Sequence, residues 1–257
     1  MATTPERSDR IEYASPLVAK LETRARLSEV DRESLLGLYD DCREIGARRS
    51  VIREGDRPDH VHLMIEGWAA RYKLLPDGSR QITAFLIPGD FCDFHVTILR
   101  EMDHGIITLT RSAVAFIARA RMDELTERPS LVKAFWWATL VDEAVLRSWL
   151  VNVGRRDASQ AVGHLFCELY VRMKNVGLVE GGGFELPLTQ EEIGDALGLT
   201  SVHVNRVLQR MRADGLITFR RGTLTILDYG RLEEESGFNA NYLHIERRID
   251  KPASPAG

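Results

Sequence analysis

The hydrophobic residues between positions 44 and 120 recur at every second position, whereas the segments on both sides of this region follow helical spacing. Within the region, Val61, Leu63 and Ile65 alternate with other residues as in a half-buried strand. Turn sequences such as Pro76–Ser79, which reads Pro-Asp-Gly-Ser, separate the strand-like runs. Short strands that follow one another at intervals of about eight to twelve residues indicate a β-sandwich or a small β-barrel.

Helical patterns flank this β-region. Residues 16–42 predict helix with a break near residues 26–28, and a longer helix is predicted from Ser130 to about Val153. Because a helix attached to one domain needs a single apolar stripe, a second stripe on the long helix predicts a dimer interface; a central helix buried within its own monomer is the alternative. One stripe contains Phe135, Ala138, Val145 and Trp149, and the other contains Val132, Trp136, Leu140 and Leu150.

Length and composition are those of an ordinary globular protein. The chain has 257 residues, 44% hydrophobic and 28% charged, enough for one large or two small domains with full cores. The net charge of −4 gives no overall indication of nucleic-acid binding. The segment from Thr200 to Gly222 is different, because it holds five arginines and a single acidic residue, Asp214. Any nucleic-acid role must therefore depend on this locally basic segment.

The cysteines and the termini bear on the compartment. Cys42, Cys92 and Cys167 are far apart and form no C-x-x-C motif, which argues against a zinc ribbon, a cysteine-ligated iron–sulfur cluster or a disulfide framework. We expect Cys42 and Cys167 in the core, and Cys92 as a small buried hydrophobe or, alternatively, a redox-active or haem-ligating thiol. Residues 1–14 are polar and are expected to be flexible, without the apolar core of a signal peptide, and no apolar run could span a membrane. A cytoplasmic protein with no membrane partner is therefore predicted.

A compact unit of two helices and a hairpin is predicted near the carboxyl end. Thr189–Glu192 forms a capping box, Gly198 is typical of a helix C-cap, and Thr200 caps a second helix. Two helices joined by a short glycine-containing turn form a helix-turn-helix. The strand-like runs that follow flank Arg220–Gly222, which predicts a hairpin with a basic tip, or wing.

The second helix of this unit has an apolar face and a polar face. Val204, Val207, Leu208 and Met211 follow the spacing of a helix packed on a core. The other face suits DNA bases, because arginine can bond two guanine acceptors, asparagine can bond adenine, and an apolar side chain suits the thymine methyl group. A solvated charged face is the alternative. The predicted base-reading residues are Ser201, Val202, Asn205 and Arg206, and the predicted phosphate contacts are Thr189, Gln190, His203, Gln209, Arg210, Arg220 and Arg221.

The segments Thr189–Thr200 and Val204–Leu208 resemble the winged helix of the Crp/Fnr family of bacterial transcription regulators. Gly89-Asp-Phe91 resembles the turn before the ligand cassette of this family, and Ser130–Val153 resembles its dimer helix. The resemblance covers about residues 15–230. It implies an α+β fold in which an N-terminal β-roll (a double-stranded β-helix, cyclic-nucleotide-binding-like) is followed by a long dimerisation helix and a C-terminal winged helix-turn-helix.

The same resemblance implies the function. It implies a homodimeric, non-enzymatic regulator that binds double-stranded DNA at an inverted repeat, with half-sites about one helical turn apart, and that contacts RNA polymerase. No resident cofactor is implied, and neither the effector nor the sign of regulation follows from the sequence. The expected domains are a flexible N-terminus (1–14), a sensory β-roll (15–128), the dimerisation helix (129–153), the winged helix (154–230) and a C-terminal tail (231–257), which is expected to be loosely attached from Ser236 onward.

Two departures from the family pattern are expected to matter. Many members carry a glutamate one turn before the arginine that corresponds to Arg206, whereas this sequence has Val202, so its DNA site should differ from the usual family box. In the roll, Asp93-Phe94 and His104-Gly105 stand where cyclic-AMP-binding members carry Gly-Glu and Arg-Ser. A phosphodiester without its arginine would be poorly paired, so we expect no tight binding of cyclic AMP. The predicted ligand-pocket residues are Gly89, Asp90, Cys92, Asp93 and His95.

A competing hypothesis places a metal in the roll. The motif formed by Gly55, His60, His62 and Glu66, together with His95, resembles a cupin metal site, and two imidazoles with a carboxylate suit iron, zinc or manganese. The chain would then be a cupin-like metal-binding enzyme or a metal or haem sensor. The first spacing is one residue short of the cupin pattern, and the second motif is incomplete. The other interpretation of this strand leaves both histidines in solvent.

Overall fold

The computed structural model describes residues 16–99 and 101–245, in which helices flank three antiparallel sheets. The predicted flexible segment 1–14 lies outside the described residues. The strands are β1 (Cys42–Ile45), β2 (Ser50–Ile52), β3 (His60–Glu66), β4 (Ala69–Leu74), β5 (Arg80–Leu86), β6 (Gly105–Thr108), β7 (Ser112–Ala118), β8 (Gly183–Glu185), β9 (Ile217–Arg220) and β10 (Thr223–Ile226). The helices are α1 (16–22), α2 (Glu29–Leu36), α3 (Val96–Leu99), α4 (Arg119–Thr126), α5 (Pro129–Gly154), α6 (Ala158–Asn175), α7 (Gln190–Leu197), α8 (Ser201–Ala213) and α9 (Tyr229–Ser236).

The predicted β-region forms a β-roll of two sheets. One sheet has the order β1-β7-β3 and the other the order β2-β6-β4-β5, and both contribute to one apolar core. The turn at Pro76–Ser79 joins β4 to β5 as predicted, and Gly78 in this turn has φ +85°, a conformation that favours glycine. Gly89, at the turn after β5, has φ +89°, and a Cβ there would collide with the backbone of Pro16. The turn therefore packs directly against α1.

Strand β3 is more deeply buried than its alternating pattern predicts. Residues Val61 to Ile65 are all buried, including His62. The side of β3 that does not pair with β7 is covered by the segment after β5, because the His62 oxygen accepts from Cys92 N and the Met64 oxygen accepts from Gly89 N. The expectation that both histidines lie in solvent is therefore wrong for His62, while His60, at the end of the strand, is half-buried.

Helix α5 begins at Pro129, whose missing N–H costs nothing in the first helical turn, and ends at Gly154. One predicted stripe is buried: Phe135, Ala138, Val145 and Trp149 pack against the roll and α6. Most of the other stripe is exposed: 70% of Trp136, 56% of Leu140 and 73% of Leu150 lie open. The helix therefore has a wide apolar surface that the described part of its own chain leaves uncovered. No helix among the described residues is long and apolar enough to cross a membrane.

The carboxyl-terminal unit forms the predicted winged helix. The Thr189 hydroxyl accepts from Glu192 N while the Glu192 carboxylate accepts from Thr189 N, so the capping box is present. Gly198 ends α7 in the left-handed region, and the Thr200 hydroxyl caps α8. Strands β9 and β10 form the wing, and β8 pairs with β10 as a third strand. The three glycines at 181–183 predict a loop. In the structure, β8 starts at Gly183 because β10 supplies its hydrogen bonds.

The tight contact between α7 and α8 depends on Gly194. A Cβ at this position would overlap the carbonyl oxygen of Leu199 in the turn between the helices. Replacing Gly194 with alanine is therefore expected to lower the free energy of unfolding by about 1–3 kcal/mol, as overpacking does. Urea denaturation would measure the effect. The matched control is Gly230→Ala in α9, where the nearest atom lies 3.9 Å from an added Cβ and alanine favours helix. Equal stability of the two variants would contradict the close-contact interpretation.

The β4–β5 hairpin of the roll contacts helix α7. The Arg80 guanidinium lies 2.7 Å from the Asp195 carboxylate, and Gln81 Nε2 donates to the Ala196 oxygen at 3.2 Å. Both partners lie near the end of α7, one turn before Gly198 ends it. The roll therefore holds the first helix of the helix-turn-helix directly.

The predicted loose attachment of the chain from Ser236 onward is wrong for the residues that the structure describes. Helix α9 packs on α6, and Phe238 and Leu243 are buried in the same apolar cluster as the winged helix. The Tyr242 hydroxyl donates to the Glu168 carboxylate at 2.8 Å. Residues 246–257 of the predicted tail lie outside the described residues. The segment through residue 245 is therefore part of the packed domain.

Candidate nucleic-acid interface

Helix α8 presents its polar face to solvent because its apolar face is packed. Val204, Val207, Leu208 and Met211 are buried as predicted. The predicted base-reading residues lie on the outward side: Ser201, Val202 and Arg206 are exposed, and Asn205 is half-buried. Val202 is 60% exposed even though it is apolar. The structure therefore brings the four predicted base-reading residues together on one accessible surface.

The arginines on this side of the molecule are free of carboxylate partners. Some exposed arginines elsewhere pair with acidic groups, as Arg231 does with Glu235 at 2.7 Å and Arg43 with Asp41 at 2.6 Å. Within residues 16–99 and 101–245, no hydrogen bond or ion pair engages the guanidinium groups of Arg206, Arg210, Arg220 or Arg221. Their positive charge is available to an external anion, as phosphate contacts require.

The wing carries two of these arginines at its tip. Arg220 and Thr223 pair across the hairpin, which leaves Arg221 and Gly222 as a two-residue loop. Both loop residues have positive φ, 51° and 79°, as in a type I′ turn. Gly222 adopts positive φ without steric strain, whereas positive φ at Arg221 is conformationally unfavourable because of its Cβ. The turn holds the Arg221 side chain exposed at the end of the wing.

Three of the four remaining predicted phosphate contacts lie at the starts of the two helices. Gln190 and His203 are in the first turns of α7 and α8, where the helix dipole favours anions. The Thr189 hydroxyl is already engaged by Glu192, to which it donates at 2.9 Å. Gln209 lies on the exposed side of α8, one turn after Asn205. Thr189 thus acts in the structure as a helix cap, and the others are accessible.

The predicted ligand-pocket residues cluster after β5, but two of them are engaged inside the protein. The Asp90 carboxylate lies 2.6 Å from Lys20 Nζ of α1 and 2.7 Å from Arg172 Nη2 of α6, and it also accepts from Ile87 N. Burial raises the pKa of Asp90, but the two cations outweigh it and lower the pKa to about 2. Asp93 is fully buried and accepts from His62 N at 2.7 Å. These carboxylates stabilise the roll and its contacts with α1 and α6.

The cysteines differ in their surroundings. Cys92 is buried, and burial raises the pKa of its thiol well above the usual value, so the reactive thiolate is disfavoured. Cys167 is buried as predicted, and burial raises its pKa to about 12. Cys42 is exposed at the start of β1, so its predicted place in the core is wrong. Cys42 marks the change from helical to alternating spacing, where periodicity does not define an inward face.

The cupin-like metal set does not assemble. His62 Nδ1 lies 2.6 Å from Asp93 Oδ2 in the interior, while His60 and Glu66 are at opposite ends of β3. Among the described residues, one group of three acidic, histidine or cysteine side chains has donor atoms within 4.8 Å of one another, and it contains His95, Asp103 and His104. Sequence reasoning had His95 in its metal set but missed the other two, although the dipeptide Asp103-His104 offered a signal.

Comparison with known proteins agrees with this arrangement. Residues 42–128 match the cyclic nucleotide-binding domain, and residues 160–235 match the Crp-like helix-turn-helix domain. The chain is 30% identical over 190 residues to the nitrogen fixation regulation protein FixK of Bradyrhizobium diazoefficiens, covering 72% of this chain and 77% of FixK. It is 28% identical over 221 residues to the transcriptional activator protein FnrL of Cereibacter sphaeroides, covering 83% of this chain and 88% of FnrL.

A solved structure supports the fold. FixK2 from Bradyrhizobium japonicum has a TM-score of 0.68 and 23% sequence identity, and the match covers 75% of this chain and 95% of the FixK2 chain. The roll, the long helix and the winged helix therefore occur in the predicted order, and they match both domain families and a relative at 30% identity. The chain belongs to the Crp/Fnr family of transcription regulators, which are DNA-binding proteins and not enzymes.

Proposed function

We propose that this chain regulates transcription by binding, as a homodimer, an inverted-repeat DNA site. The observation that carries the proposal is the outward face of α8, where Val202, Asn205 and Arg206 are accessible and the Arg206 guanidinium has no partner among the described residues. A buried apolar stripe on the same helix fixes the direction of this face. A helix held in this way can enter the major groove with its N-terminal residues toward the base edges.

Each residue of this face suits a particular part of DNA. Arg206 can bond the O6 and N7 atoms of guanine, and Asn205 can bond the N6 and N7 atoms of adenine. Val202 has no hydrogen-bonding group and suits a thymine methyl, whereas a glutamate at this position would accept from cytosine N4. Ser201, at the first residue of α8, can contact either a base or a phosphate. The preferred box should therefore differ from that of members with the glutamate.

The arginines of the wing and of the end of α8 are proposed to contact the phosphate backbone. Arg210, Arg220 and Arg221 have no ion-pair partner among the described residues, and Gln190, His203 and Gln209 lie around the starts and the outer side of α7 and α8. Phosphate contacts set the register of the protein on the duplex without reading sequence. Thr189 can support this contact by fixing the first turn of α7 as its cap.

The exposed stripe of α5 is proposed to form the homodimer interface. Trp136, Leu140 and Leu150 lie on one side of the helix, and the Glu143 and Arg147 side chains pair with each other at 3.0 Å on the same side. A second copy would cover this surface through a two-fold axis, so each α5 would pack on the other. Dimerisation would set two α8 helices to read half-sites about one helical turn apart.

Partners and location follow from this role. FnrL is named a transcriptional activator, and we infer that this chain also contacts RNA polymerase at its promoters. Binding to bacterial chromosomal DNA places its action in the cytoplasm. We do not assign cyclic AMP as an effector, because His104-Gly105 offers no arginine for the phosphodiester.

The function is tested by Arg206→Ala. Genomic DNA fragments that the wild-type chain captures serve as the ligand. Fluorescence anisotropy then measures the affinity of the wild type and of the variant for these fragments over a range of salt concentrations. Loss of the guanine contact is expected to weaken specific binding by about 1–3 kcal/mol per half-site. Wild-type affinity should also fall steeply with salt as counterions are released.

The matched control is Arg53→Ala, which removes the same charge from an exposed position in the roll. This variant should bind DNA like the wild type. Unchanged affinity in Arg206→Ala would show that the proposed face does not read bases. Binding by the wild-type chain that does not depend on salt would contradict a phosphate-contacting surface altogether.

A further inference from the structure

A cluster of two histidines and one aspartate lies in the roll, away from the DNA-reading face. His95 immediately precedes α3, and Asp103-His104 immediately precedes β6. The two imidazole rings have centroids 5.2 Å apart, and His104 Nδ1 lies 2.6 Å from Asp103 Oδ1. One donor atom from each of the three residues lies within 4.8 Å of the others. The two imidazoles and the carboxylate are therefore close enough to act together on one ion.

Two nitrogens of this cluster are buried and unpaired. The Nε2 atoms of His95 and His104 are both inaccessible to solvent and make no hydrogen bond with any residue that the structure describes. Buried polar atoms in proteins nearly always have a hydrogen-bond partner or a ligand, so an unpaired buried nitrogen indicates that a ligand is missing. Here two such nitrogens lie on neighbouring rings, and one ligand could satisfy both. A metal ion accepts both lone pairs at once.

The hydrogen bond from His104 to Asp103 orients one ring for this purpose. A carboxylate oxygen accepts in such a bond, so His104 Nδ1 donates to Asp103 Oδ1. This arrangement leaves the lone pair on His104 Nε2 free. Metal-ligating histidines commonly have a carboxylate behind them in this way.

We propose that the Nε2 atoms of His95 and His104 bind a divalent first-row transition metal ion such as Zn²⁺ or Fe²⁺, with the Asp103 carboxylate holding the His104 ring in place. Imidazole nitrogen is a donor that these ions take. The two protein donors leave the remaining coordination positions to water or a small molecule. The ion would join the start of α3 to the start of β6. The proposal does not depend on DNA binding, because metal uptake is measured without DNA.

Arg71 is the main opposing charge near the site. Its guanidinium lowers the pKa of His95 and of His104, after burial and other contributions, so it also opposes a bound cation. The same guanidinium, however, donates to the Phe91 and Cys92 oxygens and lies 3.0 Å from the Asp142 carboxylate. Asp142 offsets its charge, and Asp103 adds a negative charge on the side of the site.

The experiment measures Zn²⁺ uptake by the full chain after chelator treatment, in competition with a chromogenic chelator. The wild type should take up a single Zn²⁺ per chain. Asp103→Asn should weaken binding by about 10–100-fold, as loss of a carboxylate beside a metal-bound histidine does. His95→Ala and His104→Ala should each weaken binding by at least as much, and the double variant should abolish it. His60→Ala is the matched control, because it removes a histidine of the roll that lies outside the cluster.

Two further measurements separate binding from folding. The glutamine variants His95→Gln and His104→Gln keep side-chain size and hydrogen bonding, and their melting temperatures without metal should equal that of the wild type. Co²⁺ should give visible absorption bands with the wild type that the double variant lacks. The proposal is overturned if the wild type takes up no stoichiometric Zn²⁺ or Co²⁺, or if the double variant binds as tightly as the wild type. Loss of uptake in His60→Ala alone would point to the cupin-like set instead.

Discussion

Replacing Leu150 with glutamate is expected to convert the proposed dimer into a monomer and to lower specific DNA affinity by at least about 1,000-fold, the lower end of the range that separates specific from non-specific binding. Leu150 is 73% exposed on α5, so the substitution leaves the monomer core intact. In the proposed dimer the same side chain would lie in the interface, and two unpaired carboxylates would be forced into apolar surroundings. A monomer reads one half-site and loses the second set of contacts.

Light scattering measures the mass of the variant, and fluorescence anisotropy measures its binding to a full inverted repeat. Leu74→Glu is the matched control, because Leu74 is an exposed leucine at the end of β4 in the roll, distant in sequence from α5. The control should remain dimeric and bind DNA normally. A Leu150→Glu protein that stays dimeric would show that α5 is not the interface.

Replacing Asp90 with asparagine is expected to lower the free energy of unfolding by about 3–5 kcal/mol at neutral pH, the usual cost of removing one partner from a buried ion pair. The Asp90 carboxylate pairs with Lys20 and Arg172, and both cations are largely buried. Arg172 keeps a second contact with Glu168 at 3.3 Å, whereas Lys20 has no other ion pair among the described residues. Urea denaturation of the wild type and the variant gives the difference.

The difference between wild type and Asp90→Asn should depend on pH in the acid range. The pKa of Asp90 is about 2 in the folded protein and about 3.9 in an unfolded chain. A lowered folded-state pKa stabilises the folded protein fully above pH about 4, and this contribution is lost as the pH falls through about 2. The variant lacks this titrating group, so the two unfolding free energies should converge across that window.

Asp41→Asn is the control for the Asp90 experiment. Asp41 also pairs with an arginine, Arg43, but both side chains are about half exposed. Exposed ion pairs contribute little to stability, so this variant should unfold at nearly the wild-type urea concentration. If Asp90→Asn also leaves the free energy of unfolding unchanged, the contact between α1, the roll and α6 does not depend on this carboxylate.

Local sequence signals were enough to predict the winged helix. The capping box at Thr189, the C-cap at Gly198 and the apolar spacing of α8 are all determined within a few residues, so the sequence contains the information that positions them. The outward direction of Val202 and Arg206 follows from the same helical period. The two stripes of α5 were predictable for the same reason.

Features that depend on distant segments were not predictable from periodicity. His62 is buried because Asp93, 31 residues later, folds back to bond its ring and backbone. Tyr242 is held by Glu168, 74 residues earlier, so the end of the described chain is packed although its sequence looks polar. The group of His95 with Asp103 and His104 likewise requires the chain to fold so that the starts of α3 and β6 meet. The alternation of apolar and polar residues within one strand gives no information about these contacts with distant segments.

The apolar cluster that joins the two halves of the molecule has a thermodynamic consequence. Trp68 and Phe85 of the roll, Trp149 of α5 and Leu208 of α8 belong to one continuous cluster. A fragment cut between α5 and α6 would expose the Phe85–Trp149 contact, whose ring centroids lie 5.5 Å apart, to water. We therefore expect the roll and the winged helix to unfold as one cooperative unit. Any ligand that stabilises the roll would raise the melting temperature of the reading helix as well.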